Sequence, residues 1–153
     1  MGRMNFLKSK ERKQFANAIE KQWGICPNTI RSRFLVKSGK DRIYLVNTEY
    51  DQVDLNGIRI NNVGLYIAEE KGELRLSIEG SQIVGPEATK NVLEIDDELR
   101  KQWFMGEDLH IDKEFEGFVI LKHGKDFVGS GKFKEGKILN FVPKTRRLQQ
   151  VHR

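Results

Sequence analysis

The sequence predicts an α+β fold built as two small modules, and three observations carry that reading. Phe15, Ile19 and Trp23 recur at four-residue spacing between Ser9 and Trp23, the period of one helix face. From Arg31 onward the period changes to two, in apolar runs that pair across short turns. From Gly117 onward, short apolar runs alternate with glycine-rich turns, the pattern of a small curved sheet or barrel. The chain has 153 residues, 38% of them hydrophobic, enough to bury a core. No stretch approaches the roughly 18 consecutive apolar residues of a spanning helix. The opening residues lack the apolar block of a secretory signal, and a single cysteine, Cys26, excludes an internal disulfide.

Taken in order, the helix Ser9–Trp23 has Ser9 as its expected N-cap and Gly24 as its terminator. Arg31–Lys37, a turn at Ser38-Gly39-Lys40 and Arg42–Asn47 then read as a hairpin, with Arg31, Arg33 and Lys37 on one strand face. A second hairpin sets Leu65 and Ile67 against Leu74, Leu76 and Ile78. The composition resets between Gly80 and Pro86, which places a boundary between modules 1–80 and 81–153. A helical turn over Pro86–Asn91, a helix from Asp97 to Trp103 capped by Asp96 or Asp97, and strands Gly117–Lys122 and Phe127–Lys132 complete the second module.

Charge is distributed in blocks. Residues 1–40 carry +8, residues 41–121 carry −10 and residues 122–153 carry +7, so the net +5 conceals two basic ends around an acidic middle. If the fold joins the ends, a basic face forms that attracts polyanions. Lys10, Arg12 and Lys13 occupy the first helical turn, where the dipole disfavours cations, so either an anion uses this end or the charges are simply solvated.

Enzymatic chemistry finds no constellation. His110, His123 and His152 are scattered, with no metal-ligand spacing among them or to Cys26. Asp96, Asp97, Glu98, Glu107 and Asp108 suit caps and surfaces better than catalysis. Gly129-Ser130-Gly131-Lys132 matches neither the P-loop nor the dinucleotide fingerprint, and marks a bulge, a bend or the close approach of another backbone or ligand. The expectation is a protein that is not an enzyme and takes no cofactor and no metal. Basic residues are more informative. Lys144, Arg146 and Arg147 offer phosphate-matching groups, and Asn140 and Phe141 just before them add an amide and an aromatic face.

Trp103–Leu109, Gly117–Leu121, Val128–Gly131 and Leu139–Arg147 together resemble PUA domains, and most closely the PUA-like C-terminal tail of Nol1/Nop2/Sun-type RNA cytosine-5 methyltransferases. The first half is similar, in its order of elements, to the pre-PUA module that precedes such domains. The resemblance implies an N-terminal helix-plus-antiparallel-sheet module followed by a PUA-type mixed β-barrel. It further implies a non-catalytic, cytoplasmic RNA-binding protein of RNA modification, ribosome biogenesis or translation, since the methyltransferases' catalytic domain has no room here. Its partners would be tRNA or rRNA, and an RNA-modifying enzyme or pre-ribosomal particle, with no membrane. Lys144, Arg146 and Arg147 would hold phosphate, with Arg31, Arg33, Lys10, Arg12 and Lys13 as a second patch, Gly106, Gly129 and Gly131 would admit RNA backbone, and Phe141 or Lys132 would touch bases or sugars. The competing reading is a protein adaptor whose Glu69, Glu70 or Asp97 dock a basic partner.

Overall fold

The computed structural model describes residues 4–49 and 64–148; His152 lies outside them. Among the described residues no helix is long and apolar enough to cross a membrane. The strands divide into two five-stranded sheets. β1 (Asn5–Phe6), β2 (Arg33–Lys37), β3 (Arg42–Glu49), β4 (Gly64–Lys71) and β5 (Glu73–Leu76) form an antiparallel meander in chain order. The second sheet holds β6 (Val92–Glu94), β7 (Leu109–His110), β8 (Phe118–His123), β9 (Asp126–Lys134) and β10 (Lys137–Leu139) in the order β6-β8-β9-β10-β7. Its β6 and β8 run parallel, so the sheet is mixed. The α+β class therefore holds.

The first helix, α1 (Ser9–Trp23), buries Phe15, Ala16, Ile19 and Trp23, the face its spacing predicts. Its cap differs from expectation by one position. Lys8 is the N-cap, its backbone N–H donating to Glu11 Oε1 at 2.9 Å, and Ser9 is already helical. Gly24 ends the helix at φ +93°, a left-handed turn that glycine adopts without steric penalty.

Two strand expectations need correction. Arg31 closes a short helix, α2 (Asn28–Arg31), and so does not share a strand face with Arg33 and Lys37. Ile78 opens a helix, α3 (Ile78–Val84), rather than ending the second hairpin; the Ser77 hydroxyl caps it by accepting from the Gly80 N–H. Residues Gly80–Pro86 are thus mostly helix, and the expected helical turn at Pro86–Asn91 is a plain turn at 85–87. The helix α4 (Asp97–Phe104) forms as predicted, with Asp96 Oδ1 accepting from Leu99 N–H at 2.9 Å.

The two sheets are joined by shared apolar packing. β8 is buried on both faces: Phe118 and Ile120 enter the core built on α1 and the first sheet, while Val119 and Leu121 enter a second core with Trp103, Leu109, Ile138 and Val142. Period-two alternation along one strand supplies both cores. α3 lies against β4 and β9 at the same junction, and a Cβ on its Gly80 would stand 2.0 Å from the Ile67 carbonyl oxygen. Only glycine permits that approach.

Candidate nucleic-acid interface

A cleft of about 280 Å³ opens where the two sheets meet. One wall is the first sheet, with Arg42 on β3, Tyr66 on β4 and Arg75 on β5. The opposite wall is the stretch Phe141-Val142-Pro143 with Arg146 in the 3-10 turn Lys144–Arg146. Ser77, Glu79, Trp103, Gly129 and Ser130 line the remainder.

Arginines and rings alternate along it. The Arg42 guanidinium lies over Tyr66, 5.1 Å from the ring centroid, and the Arg75 guanidinium lies over Phe141 at 4.8 Å. Tyr66 in turn meets Tyr44 with centroids 5.8 Å apart. Phe141 is 37% exposed, so part of its ring faces the cleft. Burial pushes the Tyr66 phenol upward, against the opposing pull of the Arg75 charge, so at neutral pH it is protonated.

The polar groups of the floor are already committed. Ser77 Oγ donates to Tyr66 O at 2.8 Å, Ser130 Oγ to Leu76 O at 2.8 Å, and Trp103 Nε1 to Val128 O at 2.8 Å. Three arginines face one lining carboxylate, Glu79, which pairs with Arg146 at 2.9 Å. Arg75 also pairs with Glu69, which neutralises part of its charge while holding its plane over Phe141. The cleft thus offers cations and flat apolar faces, the groups that hold phosphate and stacked bases.

The residues singled out from the sequence scatter around this site. Arg146 lines the cleft and Lys144 is exposed on the same turn. Lys132 bridges to Glu73 at 3.0 Å, joining the second sheet to the first. Arg147 folds inward, its Nε donating to Val142 O at 3.0 Å. Gly106 lies beneath that guanidinium, where a Cβ would meet Arg147 Nε at 2.8 Å, so its φ of +86° serves a side chain rather than RNA backbone. Gly131 is likewise interior: a Cβ there would stand 2.4 Å from Leu139 O and 2.8 Å from the Trp103 ring. Gly129 is buried between Ile78 and Trp103 at the cleft floor. At Gly106 and Gly131 protein atoms fill the space expected to admit RNA backbone, whereas Gly129 lines the cleft with only ordinary contacts around it. Asn140 is corrected too, because its amide is consumed internally: Nδ2 donates to Trp103 O and Glu107 O, and Oδ1 accepts from Val142 N–H.

The N-terminal basic residues form a separate group. Arg12, Lys13 and Arg31 line a cavity of about 180 Å³ with Ser9, Ala16 and Ile30, and no residue is common to both sites. Arg31 pairs with Glu20 at 2.6 Å and Arg12 lies over Phe34 at 4.9 Å. Lys10 is exposed on α1, and Arg33 on β2 has a buried Nε with no hydrogen bond among the described residues. The acidic residues of the adaptor reading are engaged as well: Glu69 with Arg75, Glu70 with Lys37 and Asp97 with His123.

Sequence reasoning missed Arg42, Tyr66 and Arg75. They lie far apart in the chain, and only strand pairing and sheet packing bring them beside Phe141. Among the described residues no group of His, Cys, Asp and Glu is placed to hold a metal ion. Cys26 is buried away from the cleft, and desolvation raises its thiol to about 11.

Residues 90–148 match the family model described as the methyltransferase RsmF PUA domain. The C-terminal half carries a PUA domain similar to that one. This agrees with the resemblance read from the sequence. A ribosomal RNA small subunit methyltransferase F from Aeromonas salmonicida (strain A449) is 27% identical over 141 residues, covering 90% of this chain and 28% of the relative. Similarity to it thus extends well beyond the PUA segment into the first half. The enzyme of the same name from Vibrio vulnificus (strain YJ016) is 28% identical over 91 residues, 59% of this chain and 19% of its own length. That of Vibrio cholerae serotype O1 (strain M66-2) is 26% identical over 92 residues, 59% and 20% respectively. The chain therefore spans between 19% and 28% of these curated relatives. The cleft draws Trp103, Gly129, Ser130, Phe141, Val142, Pro143 and Arg146 from the PUA-matching segment and its remaining walls from outside it.

Proposed function

We propose that this chain is a non-catalytic RNA-binding protein that acts in rRNA modification in the cytoplasm, alongside a separate RNA-modifying enzyme or on a pre-ribosomal particle. In this reading the mixed sheet corresponds to the PUA barrel. The observation that carries the reading is the cleft, in which Arg42, Arg75 and Arg146 stand beside Tyr66 and Phe141. Support also comes from the relatives, which are named for ribosomal RNA small subunit methylation. The one cysteine favours binding over catalysis, because a buried thiol held at about 11 is a poor nucleophile at neutral pH.

The test is a binding titration of the full chain against rRNA and tRNA fragments across a range of salt. Binding should weaken as salt rises, with a log–log slope reduced by about 0.7 for each phosphate contact removed. Replacing Arg42 and Arg146 with alanine should lower both affinity and slope. Salt-independent binding, or a slope unchanged in the double variant, overturns the reading. A preference for tRNA fragments would replace rRNA as the target.

A further inference from the structure

We propose that the cleft between the two sheets takes a single unpaired RNA nucleotide, its base against the rings of Tyr66 and Phe141 and its flanking phosphates at Arg42 and Arg146. The inference rests on the RNA-binding reading and adds the state of the strand that is recognised.

Size gives the first argument. A cleft of about 280 Å³ lies at the lower edge of the roughly 300–1,000 Å³ typical of ligand sites. It accommodates one nucleotide-sized group and excludes a double helix. The second argument is geometry. The Arg42 and Arg75 guanidiniums lie over Tyr66 and Phe141, so each ring already holds a flat cation that a base entering the cleft would displace. In an A-form duplex the base faces are sealed by neighbouring bases, so such rings are useful only to an unstacked base.

The third argument concerns what the cleft does not read. Ser77, Ser130 and Trp103 spend their side-chain donors on backbone carbonyls, which leaves stacking and charge as the main contacts. Stacking tolerates any base, since each has a π face. The cleft therefore discriminates strand state more than base identity. Arg42 and Tyr66 come from one sheet, and Phe141 and Arg146 from the segment that follows the other, so the site exists only when both halves are assembled.

The experiment compares the full chain binding a short unstructured RNA that carries 2-aminopurine with the same sequence annealed into a duplex. The unpaired strand should bind about tenfold more tightly, with the probe's fluorescence changing on binding as its stacking partner changes. Phe141→Ala should reduce single-strand affinity by about 5- to 150-fold and duplex affinity far less. If that variant loses its native circular dichroism, Phe141→Leu keeps the apolar bulk, removes the flat ring and serves the same test. Equal affinity for both RNAs, or single-strand affinity unchanged in the Phe141 variant, overturns the nucleotide site while leaving the RNA-binding reading intact. Failure of wild-type protein to bind either RNA overturns both.

Discussion

The guanidinium of Arg75 lies 4.8 Å above the ring centroid of Phe141 while pairing at its edge with Glu69. One side chain from the first sheet thereby holds an aromatic residue that follows the second. Arg75 and Glu69 are both largely buried, so loss of the arginine strips Phe141 of its stack and leaves a carboxylate without its partner. Arg75→Ala should lower stability by about 1–2 kcal/mol in a denaturant titration. Arg75→Lys should recover only part of this, because an ammonium has no plane to lay on the ring.

The Arg146–Glu79 pair is half-exposed, and each residue lines the cleft. Such a pair contributes at most about 1 kcal/mol to stability, yet it neutralises a cation in the proposed phosphate path. Glu79→Gln should leave the melting temperature nearly unchanged. It should raise RNA affinity at low salt and steepen the salt dependence, as read by anisotropy.

Asn140 closes the loop that presents Phe141, donating to two carbonyls and accepting one backbone N–H. Aspartate at this position has no N–H₂ to offer and sets its charge against two carbonyl oxygens. Asn140→Asp should destabilise the fold by about 1–3 kcal/mol and weaken RNA binding through the displaced ring. Thermal melting and titration of the same sample measure both effects.

Cys26 titrates at about 11 in the fold, against 9.0 for an unburied thiol. Between those values the unfolded chain has released the proton and the folded chain still holds it, so rising pH favours unfolding. The contribution is complete below pH 9 and is lost as pH climbs toward 11. Tyr66, raised above 10.0 by burial, adds to the same alkaline loss. Chemical denaturation should show a falling midpoint over this range, and Cys26→Ser should flatten its first part. At neutral pH the native thiol should resist iodoacetamide until denaturant is added.

Local features of this fold were readable in the sequence because local chemistry determines them. Phe15, Ile19 and Trp23 at helical spacing gave α1, Gly24 its end, and Asp96 the start of α4. Ile78 was misread because it continues the alternation of Leu74 and Leu76, while the chain turns into α3 at Ser77 to meet β9. The cleft was legible on one side only. Arg146 and Phe141 stand close in sequence, whereas Arg42, Tyr66 and Arg75 reach them through strand register and sheet packing, which no spacing rule encodes. The same limit applies to Gly106 and Gly131. Sequence marks Gly131 as a tight place and the resemblance offers Gly106 to RNA backbone, but only the fold reveals that Arg147 and Trp103 occupy the space.

α3 bears on how the cleft meets its ligand. It is wedged between β4 and β9, with Gly80 against the Ile67 carbonyl and Val84 wholly buried. The gap between the sheets is thus set by the thickness of a packed helix rather than by the length of a tether. An incoming strand finds the opening preformed, and little chain entropy is surrendered when it docks. Association is then governed by electrostatic encounter, and substitutions on the rings should express themselves mainly as faster dissociation.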